Sequence, residues 1–364
     1  MLSWLDSDYL GRVKRTYRLA VSECTPAGPV WAPIDARRAD IHAAMLAETD
    51  NDLRNIFSDP LSTDLYYGVD DLCRTIRGEH LGNEEMRESL SKDMRVSFSR
   101  MAAVLGTDDD CDAILATLDN TLRQKVDFPA PFRGEWGLLT SRGEVSYRAL
   151  QALYQTRRVL ALVGTGNKSV IEIGPGMGRT AYYSYRAGLT DYTTIDLPLG
   201  IVAQACFLGA VLGPDKIWMD GDDAKIAHGR IKLLCSKRRP QRRFDLALNV
   251  DSLPEMPPSV TASYIQWIGR HAATFLSINH ELNAHTVAET ARIILAAKQK
   301  TRATYPMRDG YFEETFTGLR PRKLGALWFQ WLMFYRRYRP SLERRLGLSK
   351  WKWQLVSSCP PLHK

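Results

Sequence analysis

The stretch Val170-Ile171-Glu172-Ile173-Gly174-Pro175-Gly176-Met177-Gly178 constrains the fold of this chain more than any other. A β-branched apolar run, broken only by Glu172, turns into a loop with glycine at positions 174, 176 and 178. Such a run reads as a buried parallel strand. The glycines let the backbone turn sharply and approach a ligand where a Cβ would clash. Residues 179–187 are helix-compatible, so the loop aims the positive end of a helix at that ligand.

Downstream of the loop, strand and helix patterns alternate. Strands are expected at 169–173, 192–195, 216–219, 244–249 and 274–278, with helices at 180–187, 201–212 and 259–271 and a further helix at 287–300. Alternation of this kind implies a doubly wound, mostly parallel α/β sheet with helices on both faces. Upstream, 40–56, 111–122 and 147–162 carry apolar residues at helical spacing, and 127–134 is a proline-broken loop. The expected organisation is a mostly helical N-terminal region over 1–163, a ligand-binding domain over 164–318 and a basic aromatic extension over 319–364.

The 364 residues carry a net charge of +8, and the excess is local. From Arg320 to Trp353 ten basic residues face the single acid Glu343, and Arg230 to Arg243 holds seven basic residues and no acid. The basic pI therefore describes two patches. No run of about 18 uncharged apolar residues appears, which argues against a transmembrane helix. The start, Met1-Leu2-Ser3-Trp4-Leu5-Asp6, lacks the basic and apolar regions of a secretion signal, so a cytoplasmic location is expected. The six scattered cysteines form no Cys-x-x-Cys pair and have no histidine at ligand spacing. That pattern fits reduced thiols, and no metal is expected.

Asp196 lies 22 positions after Gly174, at the end of the second expected strand. Ligands of doubly wound sheets sit at the carboxyl ends of the strands, and an acid there can accept hydrogen bonds from both hydroxyls of an adenosine ribose. The residue at the last-glycine position of a dinucleotide loop is Arg179, and the Gly-Pro-Gly-Met-Gly form preceded by Glu172 resembles motif I of class I methyltransferases that use S-adenosylmethionine (SAM). The resemblance implies a Rossmann-like fold and SAM held by Glu172, Gly174, Gly176, Gly178, Asp196, Leu197 and Asn249. Asp220 and Asp222 follow the third expected strand, where that class often holds the adenine amino group; a solvated Asp-Gly-Asp-Asp turn is the other reading.

Beyond motif I, Phe244-Asp245-Leu246-Ala247-Leu248-Asn249-Val250-Asp251-Ser252-Leu253-Pro254-Glu255-Met256 and Ser277-Ile278-Asn279-His280-Glu281 are similar to strand ends of the sugar O-methyltransferase family of bacterial glycan clusters. So are Ile195-Asp196-Leu197-Pro198, Asp59 to Gly68 and Gly134-Glu135-Trp136-Gly137-Leu138, so the likeness spans roughly residues 50 to 315. It implies methyl transfer to a sugar hydroxyl of a glycan or its precursor. Asp251, His280 and Glu281 are the candidates for general base or acceptor positioning, since a sugar hydroxyl is a poor acid. For the carboxylates, helix capping is the alternative.

Leu327 to Tyr335 is apolar on all sides and flanked by arginines. It reads either as a packed helix or as one settling on an anionic membrane. Nucleic acid also fits a basic patch with aromatics, but the chain lacks the Asn/Asp-Pro-Pro-aromatic tetrapeptide of base amino-methyltransferases. Methylation of another small molecule or of RNA, and a non-catalytic scaffold of the same fold at a membrane glycan-assembly complex, are the alternative functions.

Overall fold

Eight strands build the central sheet: β1 (Ser169–Ile173), β2 (Asp191–Asp196), β3 (Ile217–Met219), β4 (Ile231–Cys235), β5 (Phe244–Val250), β6 (Ala272–His280), β7 (Gln299–Thr304) and β8 (Tyr311–Thr317). They lie side by side in the order β7-β8-β6-β5-β1-β2-β4-β3. Pairing is parallel from β3 across to β6, and antiparallel where β8 joins β6 and β7 joins β8. The computed structural model describes residues 4–23, 30–66, 84–132, 137–282 and 286–322.

The N-terminal region supplies α1 (Ser7–Glu23), α2 (Ala32–Arg37), α3 (Ala39–Leu46), α4 (Asn51–Ser58), α5 (Glu84–Leu105), α6 (Cys111–Leu122) and α7 (Tyr147–Val163). Interleaved with the strands are α8 (Arg179–Arg186), α9 (Pro198–Leu212), α10 (Ser252–Glu255), α11 (Pro258–His271) and α12 (Val287–Ile294). All five residues of β1 are buried, as its apolar run requires, and it pairs with β2 and β5 on either side. The chain winds outward through β2, then reverses past β1 to β5 and β6. With right-handed crossovers, that reversal puts the helices of the two halves on opposite faces. The fold is the doubly wound α/β sheet expected from the alternation.

Several boundaries differ from the sequence reading. The expected helix at 40–56 is two helices, α3 and α4, and the one at 287–300 stops at Ile294 and gives way to strand. β7 has every residue exposed, so it shows no apolar alternation; its Lys300 and Arg302 suit an open sheet edge. A short hairpin, Leu138–Thr140 with Gly143–Val145, interrupts the helical region. The largest difference is β4, which lies inside the basic stretch from Arg230 and inserts between β2 and β3.

Residues Met1–Pro321 make one compact unit and Arg322–Lys364 another. The N-terminal helices share a continuous core with the sheet, so no division falls at 163. α9 shows why: it is buried from Leu199 to Gly209, apolar all round, because α1 covers its outer side. The Tyr9 hydroxyl donates to the Ala205 carbonyl at 2.7 Å, and a Cβ on Gly209 would lie 2.6 Å from that hydroxyl. The aromatic segment Leu327 to Tyr335 and the motif residues Gly134 to Trp136 lie outside the described residues. Among the described residues no helix is long and apolar enough to cross a membrane.

Candidate active site

The strand order reverses between β1 and β5, and at such a switch point the loops leaving the two strands part and leave a crevice. A cleft of about 310 Å³ opens there, over the carboxyl ends of β1, β2 and β5. Gly174, Gly176 and Gly178 have φ of +67°, +62° and +91°, backbone that side chains rarely tolerate. A Cβ on Gly174 would lie 2.3 Å from the Cβ of Ser252, so the loop can pass β5 only with glycine there.

The end of β2 is built around Asp196. One carboxyl oxygen accepts from the Leu197 amide at 2.7 Å and the other from Gln204 Nε2 at 2.8 Å. A Cβ on Gly200 would lie 2.4 Å from the Asp196 carboxyl carbon, so glycine clears the space the carboxylate occupies. A carboxylate has about four acceptor sites, and these two bonds leave others for a ligand. Burial pushes the Asp196 carboxyl up to about 7. Glu172 is buried beneath the loop, accepts from the Tyr192 hydroxyl at 2.8 Å, and is also raised to about 7, chiefly by burial.

Asn249 is fully buried; its Nδ2 donates to the Ile173 carbonyl at 3.1 Å and to Ser252 Oγ at 2.6 Å. It ties the end of β5 to the end of β1 and does not line the cleft. Its amide nitrogen thus positions the two strand ends, while its Oδ1 is buried with no hydrogen-bond partner.

Asp251, next along, lines the cleft with φ +63°, a left-handed conformation that costs a non-glycine residue of order 1–3 kcal/mol. Arg308 Nη1 donates to Asp251 Oδ2 at 3.1 Å, while Oδ1 is buried with no hydrogen-bond partner. The Tyr311 hydroxyl beside it is pushed well up by burial and by the Asp251 charge.

Four expected site residues lie elsewhere. The strand beside β2 is β4, so the residue past its end in the cleft is Ser236, and Asp220 and Asp222 follow the edge strand β3 instead. Asp222 pairs with Arg12 at 2.8 Å and Arg15 at 3.0 Å, and the Asp220 carbonyl accepts from Thr16 at 2.8 Å. Both residues fasten α1 to the sheet. Glu281 forms a two-pronged pair with Arg302 of β7, at 2.7 and 2.8 Å, which holds its carboxyl below the usual range. His280 sits edge-on to Tyr311 with ring centroids 5.6 Å apart, and its Nδ1 accepts from the Leu282 amide at 3.2 Å. Neither residue lines the cleft.

The structure adds residues that sequence reasoning missed. Trp31 and Arg38, flanking α2, close one side of the cleft, and Trp31 Nε1 donates to Glu255 Oε2 at 2.8 Å. From α7 come Arg148, Gln151 and Gln155. Gln151 and Gln155 are buried polar residues one helical turn apart, which was the available signal. Among the described residues no cluster of three or more His, Cys, Asp or Glu could hold a metal ion.

No family model matches the chain, and no curated protein matches it. Among solved structures, the magnesium protoporphyrin IX methyltransferase of Synechocystis PCC 6803 with bound SAM is 12% identical over 47% of this chain and 80% of its own, with a TM-score of 0.36. The cyclase SpnF is 13% identical over 64% of this chain and 96% of its own, with a TM-score of 0.37. The methyltransferase domain of bacterial CtHen1 is 12% identical over 47% and 97%, with a TM-score of 0.32. Scores this low describe partial overlap of strands and helices and say nothing of what this chain binds.

Proposed function

We propose that the chain is a SAM-dependent O-methyltransferase whose acceptor is a sugar hydroxyl of a glycan or its precursor. The observation that carries the cofactor reading is the Asp196 carboxylate, held at the end of β2 by Leu197 and Gln204 and facing the glycine loop across one cleft. The residues fit the group. The loop is clear of side chains where Gly174 passes Ser252, and Asp196 has acceptor sites left for two ribose hydroxyls. Glu172, Asp196, Asp251 and Glu255 line the same cleft as Arg38, Arg148 and Arg179, a mixed lining suited to a cofactor that carries charges of both signs.

SAM, when bound, supplies a methyl already activated on a sulfonium. The chain then has to hold the acceptor oxygen in line and remove its proton. Alignment of this kind supplies up to roughly 7–11 kcal/mol of barrier lowering in favourable cases. For the proton we nominate Asp251, which Arg308 holds through one oxygen and which lies beside the Tyr311 hydroxyl. Trp31 on Glu255 and the buried Arg38 screen the cleft from water. The sugar acceptor rests on the resemblance carried by Asn249-Val250-Asp251-Ser252 and the strand ends around it. A role for the segment beyond Arg322 at an anionic membrane surface belongs to the same proposal.

Titration calorimetry with SAM and its demethylated product, S-adenosylhomocysteine, tests the cofactor. Binding that disappears in Asp196→Ala is the expected result. A wild-type chain that binds neither would sink the reading. Mass spectrometry of surface glycans with and without the chain tests the acceptor: loss of one methylene mass from a sugar is expected, and an unchanged glycan profile with altered RNA methylation would overturn it.

A further inference from the structure

Among the described residues, Arg148 is one of three arginines that line the cleft, with Arg38 and Arg179. Arg308 is paired with Asp251 at 3.1 Å, Arg158 with Glu313 at 2.6 Å and Arg100 with Asp309 at 2.9 Å. Arg148, half-buried in the cleft wall, has only a 3.3 Å hydrogen bond to the Gln151 side-chain oxygen. Among the described residues no carboxylate lies within ion-pair distance of it. A half-buried guanidinium with no carboxylate partner leaves donors for an anionic ligand in the cleft.

The position of Arg148 narrows what that something is. It opens the first turn of α7, after the Ser146 cap, and lines the same cleft as Asp251. The phenols of Tyr147 and Tyr311 both feel the charges of Arg148, Arg308 and Asp251, so these groups form one cluster. The cleft that Arg148 and Asp251 both line leaves room for one acceptor to meet both. The guanidinium offers a planar fork that matches a carboxylate or a phosphate with two hydrogen bonds.

We infer that the acceptor carries an anionic oxygen group, a carboxylate or a phosphate, and that Arg148 binds it while Asp251 faces the hydroxyl to be methylated. This rests on the methyltransferase reading above and names the substrate class of that site. It makes the acceptor an acidic or phosphorylated sugar and separates it from neutral sugars by charge.

The test uses the full chain saturated with S-adenosylhomocysteine and three probes, glucose, glucuronate and glucose 6-phosphate, titrated in low and high salt. One charge-assisted pair is worth about tenfold in affinity. The expected result is therefore that a charged probe binds about tenfold more tightly than glucose, with a preference that salt weakens. Whichever of glucuronate and the phosphate binds more tightly identifies the anion. Arg148→Met is expected to erase the preference and Arg148→Lys to keep part of it, both with S-adenosylhomocysteine affinity unchanged, which also reports that the variants fold. Equal affinity for all three probes in the wild type, or a preference that survives Arg148→Met, would overturn the inference. Failure of S-adenosylhomocysteine to bind at all would instead overturn the cofactor reading, and this one with it.

Discussion

At the scale of single residues, Asp251 concentrates two costs in one position. It has a left-handed backbone, and it leaves the buried oxygen Oδ1 without a partner. Strain and an unsatisfied acceptor at the same residue are what a site retains when a ligand completes it. Asn tolerates the left-handed region nearly as well as Asp, so Asp251→Asn removes the charge and spares the backbone. We expect that variant to bind S-adenosylhomocysteine within about twofold of wild type, while methyl transfer falls by roughly a hundredfold, the usual worth of a general base. Replacing the chain by the variant in cells and weighing the glycans reads the outcome. Full methylation by a variant that binds cofactor would remove Asp251 from the chemistry. Its place at the cleft was legible in advance, because a carboxylate just past a buried parallel strand faces the ligand side of such a sheet. The reassignment of His280 and Glu281 was not, because β8 and β7, which engage them, carry no pattern that announces strand pairing to β6.

At the scale of elements, β1, β2, β5 and β6 were readable because buried parallel strands are rich in β-branched, aromatic and apolar residues, as Val170-Ile171 and Tyr192-Thr193-Thr194-Ile195 are. β4 was missed for a physical reason. Ile231-Lys232-Leu233-Leu234-Cys235 sits among seven basic residues, and their charge hid five residues of strand. In the fold much of that charge is neutralised: Arg242 and Lys232 pair with Asp191 at 2.7 and 2.9 Å, and Arg238 pairs with Glu23. The shift of one strand moves Asp222 from the adenine position to the foot of α1. There it is 3% exposed and bound by Arg12 and Arg15. Losing Asp222 leaves Arg12 without its carboxylate, at a cost of about 1–3 kcal/mol, while Arg15, 49% exposed, stays hydrated. Asp222→Ala should therefore lower the melting temperature substantially yet leave S-adenosylhomocysteine affinity unchanged where the variant is folded. A variant of normal stability that lost cofactor binding would return Asp222 to the site. Trp31, Arg38 and Arg148 had no local signal at all, since only packing of α2 and α7 against the sheet brings them to the cleft.

At the scale of the whole molecule, the cleft is linked to pH through two neighbouring buried acids. Glu172 and Asp196 are raised from 4.5 and 3.8 to about 7, each chiefly by burial, and the charge of Asp196 raises Glu172 further. They titrate as a pair. In the folded chain both keep their protons to higher pH than in the unfolded chain. Their contribution to stability is therefore fully present below about pH 4 and is lost as pH rises through about 7. Asp191 and Glu281 act in the opposite sense: their basic partners hold them below the ordinary carboxylate range, so their contribution is lost as pH falls through that lower range. The chain without ligand should accordingly melt at a higher temperature near pH 5.5 than at pH 8. Cofactor binding runs against this trend, because ribose hydroxyls donate best to an ionised Asp196 and a cationic cofactor favours the charged form of both acids. Affinity for SAM should rise between pH 6 and pH 8, with proton release that calorimetry in buffers of different ionisation enthalpy detects directly. Asp196→Asn should flatten both curves. If affinity is the same at both pH values and no proton is released, the pair is not coupled to the ligand, and Asp196 loses its place at the ribose.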